Sequence, residues 1–202
     1  MTRSIGSFGF DRLAPEGFYI ALRVGFAYPM AEHNSFPEAW IETYTAQGFM
    51  LSDPVMRWVY GNSGTTRWSE ITLDDPLAIL AHAAEHGLRH GAAVSVWDES
   101  GAGQRSFGSF ARADREFTDA EISDLRTRMQ QLHDSTAPPQ RLTEAELEAL
   151  RLVKNGLLLK QIADELGVSE GAVKQRLRNA KAKLKARNST QAATIAMEYG
   201  LI

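Results

Sequence analysis

Residues 161 to 169 read Gln-Ile-Ala-Asp-Glu-Leu-Gly-Val-Ser, and this stretch decides the architecture of the second part of the chain. Gln161 to Leu166 has the pattern of a short helix, Gly167 takes the tight turn, and Ser169 caps a longer helix that follows. Two such helices around such a turn make a helix-turn-helix. Ala163 is small where the helices cross, and Val168 is an apolar plug beneath the turn. The second helix carries Val173, Leu177, Ala180 and Leu184 at helical spacing, with Lys174, Arg178, Lys181 and Lys185 on the opposite stripe. Between Gly171 and Met197 there are seven Lys or Arg residues and no acid. A charge run is usually only a solvated face. Here it lies on the helix after the turn, where a groove reader sits, and so predicts duplex DNA as a partner.

Working outward, Thr143 and Glu146 form a capping box. Leu147, Leu150 and Val153 then share one face before Asn155-Gly156 stops the helix. A last helix runs from about Thr190 to Tyr199. Residues 141–202 are thus expected to be an all-α four-helix domain, with the helix-turn-helix motif at about 158–177. From Arg141 to Ile202 there are eleven Lys and Arg against seven Asp and Glu. The first 140 residues hold eleven Arg and eighteen acids, so the net charge of -3 hides a basic second part. Only the surface that meets phosphates has to be basic.

Ala137-Pro138-Pro139-Gln140 is read as a linker, because two prolines disfavour helix where the composition changes. Ahead of it, helices are expected over Pro37 to Gln47, over Pro54 to Tyr60 with Ser52 or Asp53 as cap, and over Leu77 to Leu88. Ala92 to Trp97 and Arg105 to Ala111 read as strands joined by a turn with Gly101 and Gly103. Thr118 to His133 is a helix opened by the box of Thr118 with Glu121. The expectation for residues 1–136 is an α/β/α sandwich with an antiparallel sheet, making the chain α+β overall.

No cysteine is present, which excludes disulfides, thiolate zinc sites and cysteine catalysis and fits a reducing, cytoplasmic setting. No apolar run reaches the ~18 to 20 residues of a membrane span, and Met1 to Phe10 lacks a secretory pattern. His82-Ala83-Ala84-Glu85-His86 fits H-x-x-E-H, with His90 read on the same face, but no third ligand is identifiable. Neither a metal, a cofactor nor an enzyme activity is expected. Asp98 ends a strand, yet no acidic pair precedes it and no lysine occurs in the first part, so it reads as turn chemistry rather than a phosphoacceptor. The helix-turn-helix alone also resembles the promoter-reading region of sigma factors, but those need an all-helical basic region upstream.

The stretch from Leu142 to Ala186 (LTEAELEALRLVKNGLLLKQIADELGVSEGAVKQRLRNAKAKLKA), running on to Ile202, resembles the C-terminal domain of LuxR-type regulators over its whole length. Glu146, Leu150 and Gly156 stand at positions that family keeps. The resemblance implies Lys174 and Arg178 at base edges, with Gln175, Arg176 and Lys181 near phosphates. Leu157 and Ser189 depart from the family's usual polar or basic residues.

In the first part, Trp40, Tyr44, Asp53-Pro54, Trp68 and Gly91 follow in an order that resembles the acyl-homoserine-lactone-binding domain of the same family. The bland alternative is that Trp40 and Tyr44 are core aromatics; the carboxylate of Asp53 in an apolar setting asks for a donor, such as a ligand amide. The resemblance implies that the Trp40 indole donates to the lactone carbonyl, Asp53 accepts from the amide, Tyr44 covers the acyl chain, Trp68 packs on the ring and Ser109 bonds the acyl carbonyl. Phe36 stands where many relatives have a tyrosine hydroxyl. The stretch before Trp40 is short for the family, which predicts a reduced N-terminal helix or strand near Pro29 to Ser35. The implied partners are double-stranded DNA, a small autoinducer, a second copy of the chain and RNA polymerase. The competing expectation is a ligand-independent regulator whose first domain only dimerises.

Overall fold

The computed structural model describes residues 8–25, 28–98, 104–137 and 142–202, and the chain divides into two compact units, Met1–Thr136 and Ala137–Ile202. Pro138, Pro139 and Gln140 of the expected linker, and Gly101 and Gly103 of the expected turn, lie outside the described residues.

The first unit runs β1 (Phe18–Val24), β2 (Pro29–Asn34), α1 (Glu38–Ala46), α2 (Pro54–Gly61), β3 (Gly64–Arg67), α3 (Ile79–Glu85), β4 (His90–Trp97), β5 (Arg105–Arg112) and α4 (Asp119–Ser135). One-turn 3-10 helices occur at Phe10–Arg12, Phe49–Leu51 and Trp68–Glu70. The strands form one antiparallel sheet in the order β2-β1-β5-β4-β3. Successive residues of a strand point to opposite faces, and the two faces differ in kind. One face offers Phe18, Ile20, Leu22, Val94, Val96 and Phe110 to Leu125, Met129 and Leu132 of α4. The other offers Ala21, Ala93, Phe107 and Ala111 to the layer holding Trp40, Val55, Val59 and Ile79. The result is the expected α/β/α sandwich.

Three strands escape the sequence pattern. β1 (FYIALRV) is an almost continuously buried apolar run, and β3 is only four residues long. β2, expected to be reduced, spans six residues and pairs along β1 from Tyr19↔Asn34 to Val24↔Pro29. α3 starts at Ile79 rather than Leu77. Ala78 takes the left-handed conformation, and the Asp75 carboxylate caps instead, accepting from the Ile79 and Leu80 amides at 2.8 and 2.9 Å.

Asp98 does more than shape a turn. It is ion-paired with Arg23, whose side chain is fully buried, and accepts from His133 Nε2 at 2.9 Å. His133 Nδ1 meets Ser106 Oγ at 2.7 Å, and Arg23 donates to the His133 carbonyl at 2.8 Å. Burial pushes His133 below the ordinary imidazole range, against the pull of Asp98, so the ring is held neutral. Ser106 is 0% exposed, so this Ser-His-Asp string offers nothing to a substrate. It ties the C-terminal turn of α4 to the sheet.

The second unit comprises α5 (Glu144–Lys154), α6 (Leu159–Glu165), α7 (Glu170–Leu184) and α8 (Ser189–Glu198). Thr143, Ser169 and Asn188 each cap the following helix through a side-chain oxygen. At α6, Leu158 has no such oxygen, and Gln161 reaches back to its amide at 2.8 Å. Ala149, Leu150, Ile162, Val173, Leu177, Ala180 and Leu184 make the core, the larger ones each contributing roughly 1.5 to 3 kcal/mol of burial. Leu147, expected on that face, is only half-buried and lies outside the core cluster. Ala196 of α8 is wholly buried among these residues, while Ile195 and Tyr199 are only half-buried.

Glu146 is the one buried charge of this core. Its carboxylate receives the Lys183 ammonium at 2.9 and 2.7 Å and the Thr143 amide at 2.8 Å. Burial opposes ionisation, but these donors outweigh it and hold the carboxyl below the usual range. The stabilisation is therefore complete above the unfolded value of about 4.3 and lost as pH falls through the lower folded value. Lys183→Ala should destabilise the second unit by about 1 to 3 kcal/mol, less than a fully buried pair because Lys183 is partly exposed, and should flatten its acid limb. Far-ultraviolet circular dichroism in urea at a series of pH values reads both effects.

Candidate functional site

A cavity of about 160 Å³ opens between the sheet and the layer that contains α1, α2 and α3. The six residues singled out from the sequence, Phe36, Trp40, Tyr44, Asp53, Trp68 and Ser109, all line it. They arrive from several local devices. Trp40 and Tyr44 are one turn apart on α1, with rings 5.4 Å apart edge to face. Ser109 points from β5, paired with Tyr19 of β1 and Ala93 of β4. Trp68 opens a 3-10 turn just after β3.

Trp68 explains Gly91. A Cβ built on Gly91 would lie 1.9 Å from Trp68 Cδ2, so the indole is laid flat on bare backbone. Its Nε1 is buried without a hydrogen-bond partner, a cost a polar ligand can relieve.

Asp53 departs from the argument made for it from sequence. It is the N-cap of α2: Oδ1 accepts from the Val55 and Met56 amides at 2.7 and 3.4 Å, and Oδ2 accepts from the Tyr44 hydroxyl at 2.8 Å. The donor that its burial demands is thus supplied by the fold itself. Burial still wins over these bonds and raises the carboxyl above its ordinary range, while burial and the neighbouring carboxylate push the Tyr44 phenol well up. A partly burdened acceptor facing a cavity still has lone pairs for a further donor.

The histidine stripe is aromatic packing. His82 stacks on Phe49 at 5.7 Å and His86 lies 5.5 Å from Trp40, with His86 Nδ1 on the His82 carbonyl. His90 is not on their helix face: α3 ends at Glu85, and His90 begins β4 beside Glu116. Among the described residues no three potential ligands gather around a metal position.

Sequence reading missed other cavity residues, Tyr19 and Asn34 foremost, because β1 and β2 carry no alternation that marks an inward face. The doublet of phenylalanine and tyrosine opening β1 is the one available signal.

In the second unit α7 has two unlike flanks. Lys174, Gln175 and Arg178 are exposed, Gln175 donating to Asn179 at 2.8 Å and accepting from Arg178. Lys181 is half-buried on the same side, and Lys185 stands at the left-handed C-cap. The other flank turns to α5, where Lys183 meets Glu146 and Arg176 meets Glu148 at 3.6 Å. Arg176, expected near phosphates with Gln175 and Lys181, is half-buried, and its Nη1, 3.6 Å from the Glu148 carboxylate, makes no hydrogen bond.

Comparison with known proteins follows the same division. Residues 1–135 match the family model of the autoinducer binding domain, and residues 140–196 match that of bacterial regulatory proteins of the luxR family. The chain is 28% identical to the regulatory protein SdiA of Escherichia coli (strain K12) over 193 residues, covering 89% of this chain and 80% of that one. It is 27% identical to the quorum-sensing regulator RhlR of Pseudomonas aeruginosa, over 100% of this chain and 88% of that one. The transcriptional activator SolR of Ralstonia nicotianae is 30% identical, with 86% and 78% covered. A crystal structure of SdiA matches with a TM-score of 0.52 at 27% identity, covering 97% of this chain and 88% of that one. SdiA in complex with octanoyl-rac-glycerol matches with 0.55 at 25% identity, covering 98% and 90%.

All four tryptophans, Trp40, Trp58, Trp68 and Trp97, lie in the first unit, so indole fluorescence reports its unfolding alone. Asp53→Ala removes the α2 cap and orphans the Tyr44 hydroxyl, and should cost about 1 to 3 kcal/mol in urea. Asp53→Asn keeps an acceptor and should cost less. With its pKa raised, Asp53 stabilises most fully below the unfolded value of about 3.9, and that contribution is lost as pH rises through the folded value. Asp53→Asn should remove this fall.

Proposed function

We propose, from the premise that the chain belongs to the luxR family of bacterial regulatory proteins, that this DNA-binding transcriptional regulator is controlled by an N-acyl-homoserine lactone or a similar acylated signal. The observation that carries the reading is the convergence of six residues from several separate elements, Phe36, Trp40, Tyr44, Asp53, Trp68 and Ser109, on one mostly apolar cavity. Trp40 donates to the lactone carbonyl, Asp53 accepts the amide N–H beside its cap bonds, Ser109 serves the acyl carbonyl, and Tyr44 covers the chain while holding Asp53. Residues 137–140 link this sensor to the second unit.

On the DNA side Lys174 and Arg178 read base edges, with Gln175, Arg176 and Lys181 at phosphates. The active species is a homodimer in which α8 contributes Ile195 and Tyr199 rather than Ala196, and it engages RNA polymerase at the promoter. Among the described residues no helix is long and apolar enough to cross a membrane. The satisfied state of Asp53 favours one competitor, a ligand-independent regulator, and the ligand test separates the two.

Titration of the full chain with N-acyl-homoserine lactones should raise the unfolding midpoint of the tryptophan transition. Binding at a hundredfold excess over Kd adds about 2.7 kcal/mol. Trp40→Phe should weaken binding, and Phe36→Tyr should tighten it by up to about tenfold, the value of one good hydrogen bond. A flat response at every chain length leaves the ligand-independent regulator standing.

For DNA, Lys181→Ala should weaken all duplexes alike and flatten the salt slope by about 0.9. Arg178→Ala should cost roughly 1 to 3 kcal/mol and relax one base position. Footprints should show half-sites about 10 bp apart or a multiple. Fluorescence anisotropy across a salt series measures the first two.

A further inference from the structure

The sheet beneath the cavity is ruled into rows by its register. Gly91 pairs with Ala111; Ala93 pairs with Ser109, and Ser109 with Tyr19; Ser95 pairs with Phe107, and Phe107 with Ala21. All of these residues point to the cavity side, because they alternate with the residues packed on α4. The first row is roofed by the Trp68 indole lying on Gly91. The second row opens into the cavity through Ser109 and Tyr19. The third row is shut off from it: Phe107 is 1% exposed and is not part of the cavity wall.

Tyr19 is what shuts it. Its ring leans from the second row over the third, 6.0 Å from the Phe107 ring, which is backed in turn by Tyr60 at 5.5 Å. The Tyr19 hydroxyl is fastened to Glu32 Oε2 on β2 at 2.8 Å, and Glu32 itself pairs with Ala21 of the third row. The other residues under this ring are small, Ala21 above all. A chain entering from the Trp68 and Asp53 end therefore meets the edge of a phenol after crossing two rows.

We propose that Tyr19 is a specificity-determining residue that ends the acyl subsite, so that this sensor selects short acyl chains and rejects long ones. This rests on the reading of the cavity as the site of an acylated signal. The ring sets the stop by its bulk, and the Glu32 bond keeps it in place. Behind the ring stand Phe107, Tyr60 and Ala21, and shortening the ring would free apolar volume against them for a longer tail. Each further buried methylene then adds to affinity, at about fourfold per group.

The test is a calorimetric titration of the full chain with butanoyl, hexanoyl, octanoyl and dodecanoyl homoserine lactones. The unaltered protein should bind the two shorter ligands more tightly than dodecanoyl by at least about tenfold. Tyr19→Ala should tighten dodecanoyl binding by about tenfold or more without improving butanoyl. Tyr19→Leu, which keeps an apolar side chain over the third row, should shift the preference partway and guards against a folding defect in the alanine variant. Tyr19→Phe should leave the length preference in place, separating ring bulk from the hydroxyl. The proposal is overturned if the unaltered protein binds dodecanoyl as tightly as hexanoyl, or if neither shortened variant moves the preference. Either result leaves the lactone reading intact. Binding of no lactone at all by the unaltered protein overturns both.

Discussion

One sheet face in the first unit is built mostly from residues too small to fill the space above it. Gly91, Ala93, Ser109, Ala111 and Ala21 face the α1–α3 side, while Phe18, Ile20, Leu22, Val94, Val96 and Phe110 face α4. The second set makes an ordinary core with Leu125, Met129 and Leu132. Apart from Tyr19 and Phe107, the large groups on that side come from the helical layer and the Trp68 turn. Trp68 can lie flat only because Gly91 has no Cβ, and Trp40 and Tyr44 reach in from α1 because nothing from β4 competes. The cavity is what remains, and the position of each lining residue follows from that shortage of volume.

The same shortage decides what sequence could reveal. Aromatic residues at i, i+4 on α1, the Asp-Pro start of α2 and the two capping boxes are local signals, and they placed the helices within a few residues. The sheet was less legible. β4 and β5 have neighbours in sequence and high β propensity, but β1 is buried on both faces and shows no alternation, and β3 is four residues paired only to β4. Tyr19 and Asn34 went unread for that reason: a residue's inward direction is fixed by a register, and registers are long-range.

The fold gives some charged residues partners that their local sequence does not announce. Asp53 caps α2 and holds Tyr44, and Asp98 joins Arg23 and His133. A charge in a hydrophobic neighbourhood does need a partner, but tertiary structure is the commoner supplier. On α7 this has a functional consequence. Glu146 takes up Lys183 and Glu148 lies 3.6 Å from Arg176, which leaves the more exposed cations of α7 on the side of Lys174, Arg178 and Lys185, with Lys181 half-buried beside them. Lys174 has only the loose contact with Glu170 at 3.8 Å. The helix is thus given a single charged side for a polyanion although its cations occur all round it.

The cavity and the stability of the sensor are one problem seen twice. Empty apolar space deprives its lining of dispersion contacts, and a buried indole N–H without a partner adds a further cost. An acylated amide is suited to repay both: its tail restores contacts over the small-residue rows, and its carbonyl oxygens accept from donors such as those of Trp40 and Trp68. That free energy would be gained only where α1, α2 and the Trp68 turn enclose the cavity as they do here. A ligand that binds this arrangement and not a looser one shifts the population toward it by its differential affinity. A sensor with a full core would have nothing left for a signal to stabilise. The cavity lined by Ser109, Trp40 and Trp68 is therefore the feature through which occupancy of the first unit would change its folding equilibrium.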